Sequence, residues 1–251
     1  MSEVENITAH SSLRPFSKHL NIPFELLICV ITVVPILILI YWYPALPDQI
    51  PAFRNLRGEV VFWARKSFLS VFRLPAMGIV LLFLCLLMKY SLLQSKVTLP
   101  AENTDRYLSY RQESISINMK LWDWLRFLVA FKQIGASLII VFLSFERFRS
   151  LATAYTVASL IATVLAAGGA LYCGYRLLIV KREMKKFFGS SYAQRHIDAA
   201  HIYGGVVYYN PADPSIFVSK YLLNFANKWS YALIVCLIAY PLLVFMPAIL
   251  K

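Results

Sequence analysis

Five long apolar runs constrain this chain more than any other feature. Residues 22–43, 69–90, 122–145, 152–180 and 229–250 each hold about twenty residues or more with little charge, and a bilayer core of about 30 Å takes about 20 apolar residues per helix. Of the 251 residues, 59% are hydrophobic and 15% charged, against about 45–50% and about 25% in soluble domains. A soluble globular enzyme is therefore not the default. A disordered chain is not either, because its signature is low hydrophobicity with high charge. The predicted fold is all-α, an integral membrane bundle of about five transmembrane helices with two ordered proline-rich loops.

The chain divides accordingly. A cytoplasmic N-terminal tail covers 1–21, the first two helices with their loop 22–90, and a polar connector 91–121. Helices three and four cover 122–180, a basic loop 181–228 and the fifth helix 229–251. The first run is longer than a signal-peptide core of about 7–15 residues and lacks an A-x-A-like cleavage pattern, so it is expected to stay as a helix. Pro35 is expected to kink it. Twice as many Lys and Arg fall on the N-terminal side of the runs as on the other, which predicts a cytoplasmic N-terminus and a C-terminus outside.

The net charge of +12 does not point to nucleic acid. The cations gather at run ends, as in Lys181, Arg182, Lys185 and Lys186, where anionic lipid headgroups attract them by about 1 kcal/mol each. Cys29, Cys85, Cys173 and Cys236 fall one in each of four runs without a C-x-x-C pair. They read as small core residues, with no disulfide framework.

Two intramembrane features stand out. Ala154, Ala158, Ala162, Ala166, Ala170 and Gly174 recur at every fourth position, a ridge of small residues that lets another backbone approach. Its partner is a neighbouring helix of the same chain or a second subunit in a homo- or hetero-oligomer. Lys132 and Gln133 lie about eight residues into the third run. An ionisable group at that depth faces a polar interior, a cavity or a partner, with Glu25 as a candidate counter-charge. The alternative is a shifted run from which Lys132 snorkels to the interface.

Catalytic vocabulary is sparse. No H-E-x-x-H, G-x-S-x-G, P-loop or G-x-G-x-x-G occurs, and no cofactor is implied. His196 and His201 flank Asp198, but five residues apart on a helix they diverge by about 140°, so a surface pair is preferred to a zinc site. Asn6-Ile7-Thr8 matches a glycosylation sequon by chance on the inner side.

Two loops read as built structures. Leu46-Pro47-Asp48-Gln49-Ile50-Pro51 is followed by Asn55, Gly58, Trp63, Lys66 and Ser67. Prolines at 44, 47 and 51 hold the segment extended, Gly58 permits a turn, and Phe62, Trp63, Phe68 and Phe72 suit the headgroup level. In the second loop Asn210-Pro211 and Asp213-Pro214 are turn starters, followed by Phe217, Asn224 and Asn227.

The first loop resembles an L-P-D-x-I-P domain of unknown function found in SdpI-type toxin-immunity membrane proteins of bacteria. Phe53 replaces the histidine usual there, so no role of that histidine carries over. The second resembles an uncharacterised N-P-x-D-P-x-x-F-V module that accompanies it, here without the glycine-containing stretch usual between 218 and 224. The resemblance implies the bacterial cytoplasmic (inner) membrane and a role in immunity to a secreted peptide or in sensing it. It gives no reaction.

Three functions stand as expectations. The chain is a non-enzymatic protein that binds a peptide, toxin or protein partner through the two loops. Alternatively it is an accessory subunit of a membrane transport complex, with Lys132 on a polar path. Third, it is a membrane enzyme on a lipid-linked substrate, using Asp48, Lys66, Asn210 and Asp213.

Overall fold

Asn21 starts the first helix. Its backbone is extended and its side chain accepts a hydrogen bond from the Phe24 amide at 3.4 Å, so it caps helix α1 (Ile22–Trp42) as a short polar side chain does best. The computed structural model describes residues 21–54, 60–94, 104–188, 202–203, 207–211, 216 and 223–249. Helix α1 runs through Pro35 as one element. A 3₁₀ turn, Tyr43–Ala45, closes it, and strands β1 (Gln49–Arg54) and β2 (Val60–Arg65) form an antiparallel hairpin. Then come α2 (Phe68–Gln94) and α3 (Thr104–Val129). Helix α3 continues through a π turn, Ala130–Ile134, and a 3₁₀ turn, Gly135–Ser137, into α4 (Leu138–Ser144). Helix α5 (Arg149–Phe188), the short hairpin β3 (Ile202–Tyr203) and β4 (Val207–Tyr208), and α6 (Lys228–Ile249) complete the order.

The all-α expectation holds, with two two-stranded hairpins added. Among the described residues four helical stretches are long and apolar enough to cross a membrane: Ile22–Ala45, Phe68–Leu92, Asp105–Ser144 and Glu146–Phe188. The fifth expected span is α6, whose apolar helix over Lys228–Leu242 is shorter than these four.

Two boundaries move. The expected polar connector 91–121 holds helix from Thr104, and α5 runs eight residues into the expected basic loop. Low hydropathy hid the first half of α3. Yet no Gly or Pro interrupts 104–134, and Tyr107, Arg111, Ile115 and Met119, four apart, are its buried face. Aromatic contacts hold it: Tyr107 meets Phe188 at 5.4 Å between ring centroids, and Arg106 lies 3.6 Å from the Phe187 centroid. Glu113 also pairs with Arg176.

The contacts divide the chain into two units. One contains residues 86–122 and 171–235, the other 21–85, 123–170 and 236–251, the described residues of each being meant. In the second unit one cluster gathers Leu39, Leu46, Ile50, Val71, Ile140 and Val141 under Trp42, Phe145 and Phe148. A second joins Ile28, Leu82, Ala130 and Ile134. Small residues make these approaches close. A Cβ at Gly78 would meet the Ile134 side chain, and one at Gly169 would lie 2.6 Å from the Trp124 indole Nε1.

Within the chain, only the middle of the expected ridge on helix α5 is covered. Ala162 and Ala166 are buried, Ala170 and Gly174 half-buried, and Ala154 and Ala158 exposed. Each step of four advances 400°, so a strict every-fourth ridge drifts about 40° per step and crosses the contact face only in its middle. The covered face instead follows Ala152, Ala162, Ala166, Cys173, Val180 and Met184, steps built from threes and fours. Gly169→Ala is expected to destabilise the protein by about 1–3 kcal/mol, because the indole must move. Gly168→Ala meets nothing within 4 Å and is expected to be neutral or stabilising by up to about 1 kcal/mol. Unfolding in mixed micelles titrated with a denaturing detergent measures both.

Candidate functional site

The proline-rich loop is a hairpin sealed at its base. Leu46 and Ile50 are buried in the cluster with Leu39 and Val71. The Lys66 ammonium donates to the carbonyls of Leu46 at 2.7 Å and Pro44 at 3.3 Å, and lies 5.5 Å from the Tyr43 ring centroid. A cation on carbonyls just past a helix C-terminus also complements the helix dipole. The backbone continues the seal, the Lys66 amide donating to the Asp48 carbonyl at 2.6 Å.

That bond sets the register. Residues 48 and 66 are a hydrogen-bonded pair, so with Ile50 opposite Ala64 and Pro51 opposite Trp63, Pro51 falls at a non-bonded position. A proline costs the ladder nothing there. Ser67 and Ser70 then cap α2 reciprocally: the Ser70 amide donates to Ser67 Oγ at 3.0 Å and the Ser67 amide to Ser70 Oγ at 2.9 Å, a capping-box arrangement. Of the first motif, Leu46, Pro47, Asp48, Ile50, Pro51, Trp63 and Lys66 belong to this hairpin, with Pro47 and Asp48 exposed. Asn55 and Gly58 lie outside the described residues.

The second loop is locked by one asparagine. Asn224 is buried, its Nδ2 donating to the Asn210 carbonyl at 3.0 Å. Its Oδ1 accepts from the amides of Asn210 and Ala226, both at 3.1 Å. Its backbone joins in too, donating to the carbonyl of buried Ile216 at 2.9 Å and accepting from Ser230 Oγ at 2.7 Å. An amide side chain imitates a peptide group here and ties 208–210 to the start of α6, where Asn227 accepts from the Trp229 amide at 3.0 Å. Asn210 adds a bond from its Nδ2 to the Tyr208 hydroxyl at 3.1 Å, and Pro211 is exposed. Asp213, Pro214 and Phe217 lie outside the described residues, as do His196, Asp198, His201 and Asn6.

Within the third run the buried charge is Arg126, and Lys132 is not its equal. Lys132 sits in the π turn and is exposed, while Gln133 is half-buried with its Nε2 3.9 Å from Met77 Sδ. A π turn widens the helix to an i→i+5 pattern and shifts the facing of the residues after it, so a regular helical wheel misplaces these side chains. Glu25, expected as counter-charge to Lys132, instead holds Arg126 in a two-pronged pair at 2.6 and 2.7 Å. Asp123 lies 3.5 Å from the same guanidinium, whose side chain is 4% exposed. Arg126 Nε is buried without an acceptor among the described residues. Just beyond, the Tyr155 hydroxyl donates to the Phe131 carbonyl inside the π turn, its ring stacked 5.6 Å from that of Phe131.

Sequence reasoning missed Arg126 because, near the start of the third run, it was counted with the cations of the N-terminal side. The signal was present: Asp123 and Arg126, three apart, share one helical face in a run where charge is expensive.

No catalytic constellation forms from the motif residues described. The Lys66 ammonium is engaged by carbonyls, and Asn210 and Asn224 bond to backbone. Among the described residues no three His, Cys, Asp or Glu converge as a metal site. All four cysteines are free. Cys85, Cys173 and Cys236 are buried as expected of core residues, whereas Cys29 is exposed on α1. No family model matches the chain, and no curated protein or solved structure matches it.

Proposed function

We propose that this chain is a five-span protein of the bacterial inner membrane, with a cytoplasmic N-terminus, that acts by binding and not by catalysis. It takes a peptide, toxin or protein partner in immunity or envelope signalling, as the resemblance to SdpI-type immunity proteins suggests. The observation that carries this reading is how the motif residues are used. Lys66 and Asn224 are engaged within their own loops, and each holds a loop rigid at its base. Above the Lys66 seal, Pro44, Ala45, Pro47, Asp48 and Gln49 stay exposed, as do Tyr209 and Pro211 in the second loop. A surface already ordered before its ligand arrives binds without the entropic cost of ordering a loop.

A strain lacking the gene is expected to become more sensitive to a co-produced or envelope-active peptide. Restoring the gene as the double variant Pro47→Gly, Asp48→Ala should leave that sensitivity in place at an unchanged membrane level of protein. Unaltered sensitivity to every such peptide on deletion overturns the proposal.

One observation favours a second reading, an accessory subunit of a transport complex. Helix α5 leaves Leu160, Val164 and Leu171 exposed beside the small residues Ala154, Ala158 and Gly168, a face that a further helix would fit. A membrane subunit that copurifies and is lost on Ala158→Leu would support it. The third reading, an enzyme on lipid-linked substrates, loses Lys66 to its structural bonds.

A further inference from the structure

We infer that the far part of the β1–β2 hairpin is an interfacial membrane anchor, in which Val61, Phe62 and Trp63 are immersed in the headgroup layer of an anionic bilayer and Arg65 faces its phosphates. This does not rest on the partner-binding reading, which concerns Pro44, Ala45, Pro47, Asp48 and Gln49 with Tyr209 and Pro211.

Three observations carry it. The first is that apolar side chains are exposed on both faces of the strand. Val61, Phe62 and Trp63 are 61%, 46% and 50% exposed. Phe62 and Trp63 are consecutive partners of Phe53 and Pro51, and consecutive strand residues point to opposite faces. A protein laid on one face would leave the ring on the other in water. A layer that surrounds the strand covers both.

The second sets the depth. Trp63 stands opposite Pro51 in a non-bonded pair, so its N–H and C=O turn to the outer edge, and no described strand pairs with that edge. Unpaired backbone groups of this kind do not sit in hydrocarbon. The exposed rings keep the strand out of bulk water, and the open edge keeps it out of the bilayer core. Only the headgroup level satisfies both, and Trp is enriched there.

The third is continuity. The hairpin connects the end of α1 to the start of α2, two helices apolar enough to span a membrane, and the residues at those ends, Tyr41 and Phe68, are themselves exposed. In the same unit Arg147 lies 4.8 Å from the Trp42 ring centroid and 4.6 Å from that of Phe148, while Arg65 and Arg149 are exposed. Rings and cations at one level are what an anionic interface selects. With the Lys66 charge held by carbonyls, Arg65 is the cation on β2 left to meet a phosphate.

The test uses the full chain in vesicles of phosphatidylethanolamine and phosphatidylglycerol whose acyl chains carry bromine at shallow or deep positions. Replacing Trp42, Trp122, Trp124 and Trp229 by Phe leaves Trp63 as the sole indole. Its emission is expected to be quenched more by shallow than by deep bromine and to be shielded from aqueous iodide. Arg65→Gln, or exchange of phosphatidylglycerol for phosphatidylcholine, should weaken the shallow quenching. Should the four-Trp variant not fold, a nitroxide at Val61→Cys, with the native cysteines changed to Ala, reads the same depth by collision with oxygen and with a water-soluble nickel chelate. Free access of iodide or the nickel chelate overturns the inference and marks the hairpin as a surface for a soluble partner. Strongest quenching by deep bromine overturns it equally.

Discussion

Arg126→Met is expected to destabilise the folded chain by about 3 kcal/mol, at the lower end of the 3–5 kcal/mol typical when one member of a buried ion pair is removed. The guanidinium is almost wholly buried and grips both oxygens of Glu25, so the variant strands a carboxylate beside a second one, Asp123. Glu25 retains 27% of its side-chain exposure, which lets water repay part of the loss and sets the lower figure. Arg126→Lys should not rescue, since an ammonium cannot reproduce the two-pronged geometry. The double variant Glu25→Gln, Arg126→Met should recover a measurable part, and the coupling energy from that cycle is the direct reading of the pair. Lys132→Met is the contrast. Lys132 is exposed in the π turn, and its replacement should stay within about 0.5 kcal/mol. Equilibrium unfolding in mixed micelles measures the set, and equal costs for Arg126→Met and Lys132→Met would refute this assignment of the intramembrane charge.

Asn224→Ala is the second large effect, expected at about 2–4 kcal/mol because buried amide partners are left unsatisfied at about 1–3 kcal/mol each. The amides of Asn210 and Ala226 lose their acceptor, and the Asn210 carbonyl its donor. The neighbouring motif residue discriminates. Asn210 meets Asn224 through its backbone, so Asn210→Ala keeps those bonds and should cost about 1 kcal/mol for the lost hydrogen bond to Tyr208. Faster exchange of the Ala226 amide in Asn224→Ala, with little change in Asn210→Ala, would locate the effect in the lock. Similar costs for the two variants would show that the loop is held by something else.

Part of this was legible in the chain itself. The apolar runs predicted helices where α1, α2, α4 with the turn before it, α5 and α6 lie, because hydropathy over about twenty residues is a local property. The proline loop was read as an ordered, extended segment, where the structure pairs Gln49–Arg54 with Val60–Arg65 as a hairpin. Pro51 argues against a strand unless its register is known, and the register came from the pairing of Lys66 with Asp48. The first half of α3 escaped hydropathy because its buried face is made of Tyr107 and Arg111 as well as Ile115 and Met119. Its partners, Phe187 and Phe188, are some eighty residues away in the chain.

The candidate site divides the same way. That Lys66 and Asn224 matter could be read from their place in spaced motifs, but what they do could not. A lysine three residues after an exposed tryptophan looks like a binding group until the carbonyls of Pro44 and Leu46 are found under it. Asn224 looks like one more loop asparagine until it is found buried.

By itself the sequence determined which segments are apolar enough to form membrane helices, where prolines and glycines punctuate them, and that H-E-x-x-H, G-x-S-x-G, P-loop and G-x-G-x-x-G spacings are absent. All are set by composition and spacing within about twenty residues. Only the tertiary structure decided which charge pairs at depth, which small residues accept a neighbouring helix, and which motif side chains are engaged. Each of these depends on groups distant in the chain meeting at hydrogen-bond or van der Waals range. A π turn of five residues was enough to turn Lys132 outward while Glu25 and Arg126, about a hundred residues apart, came together.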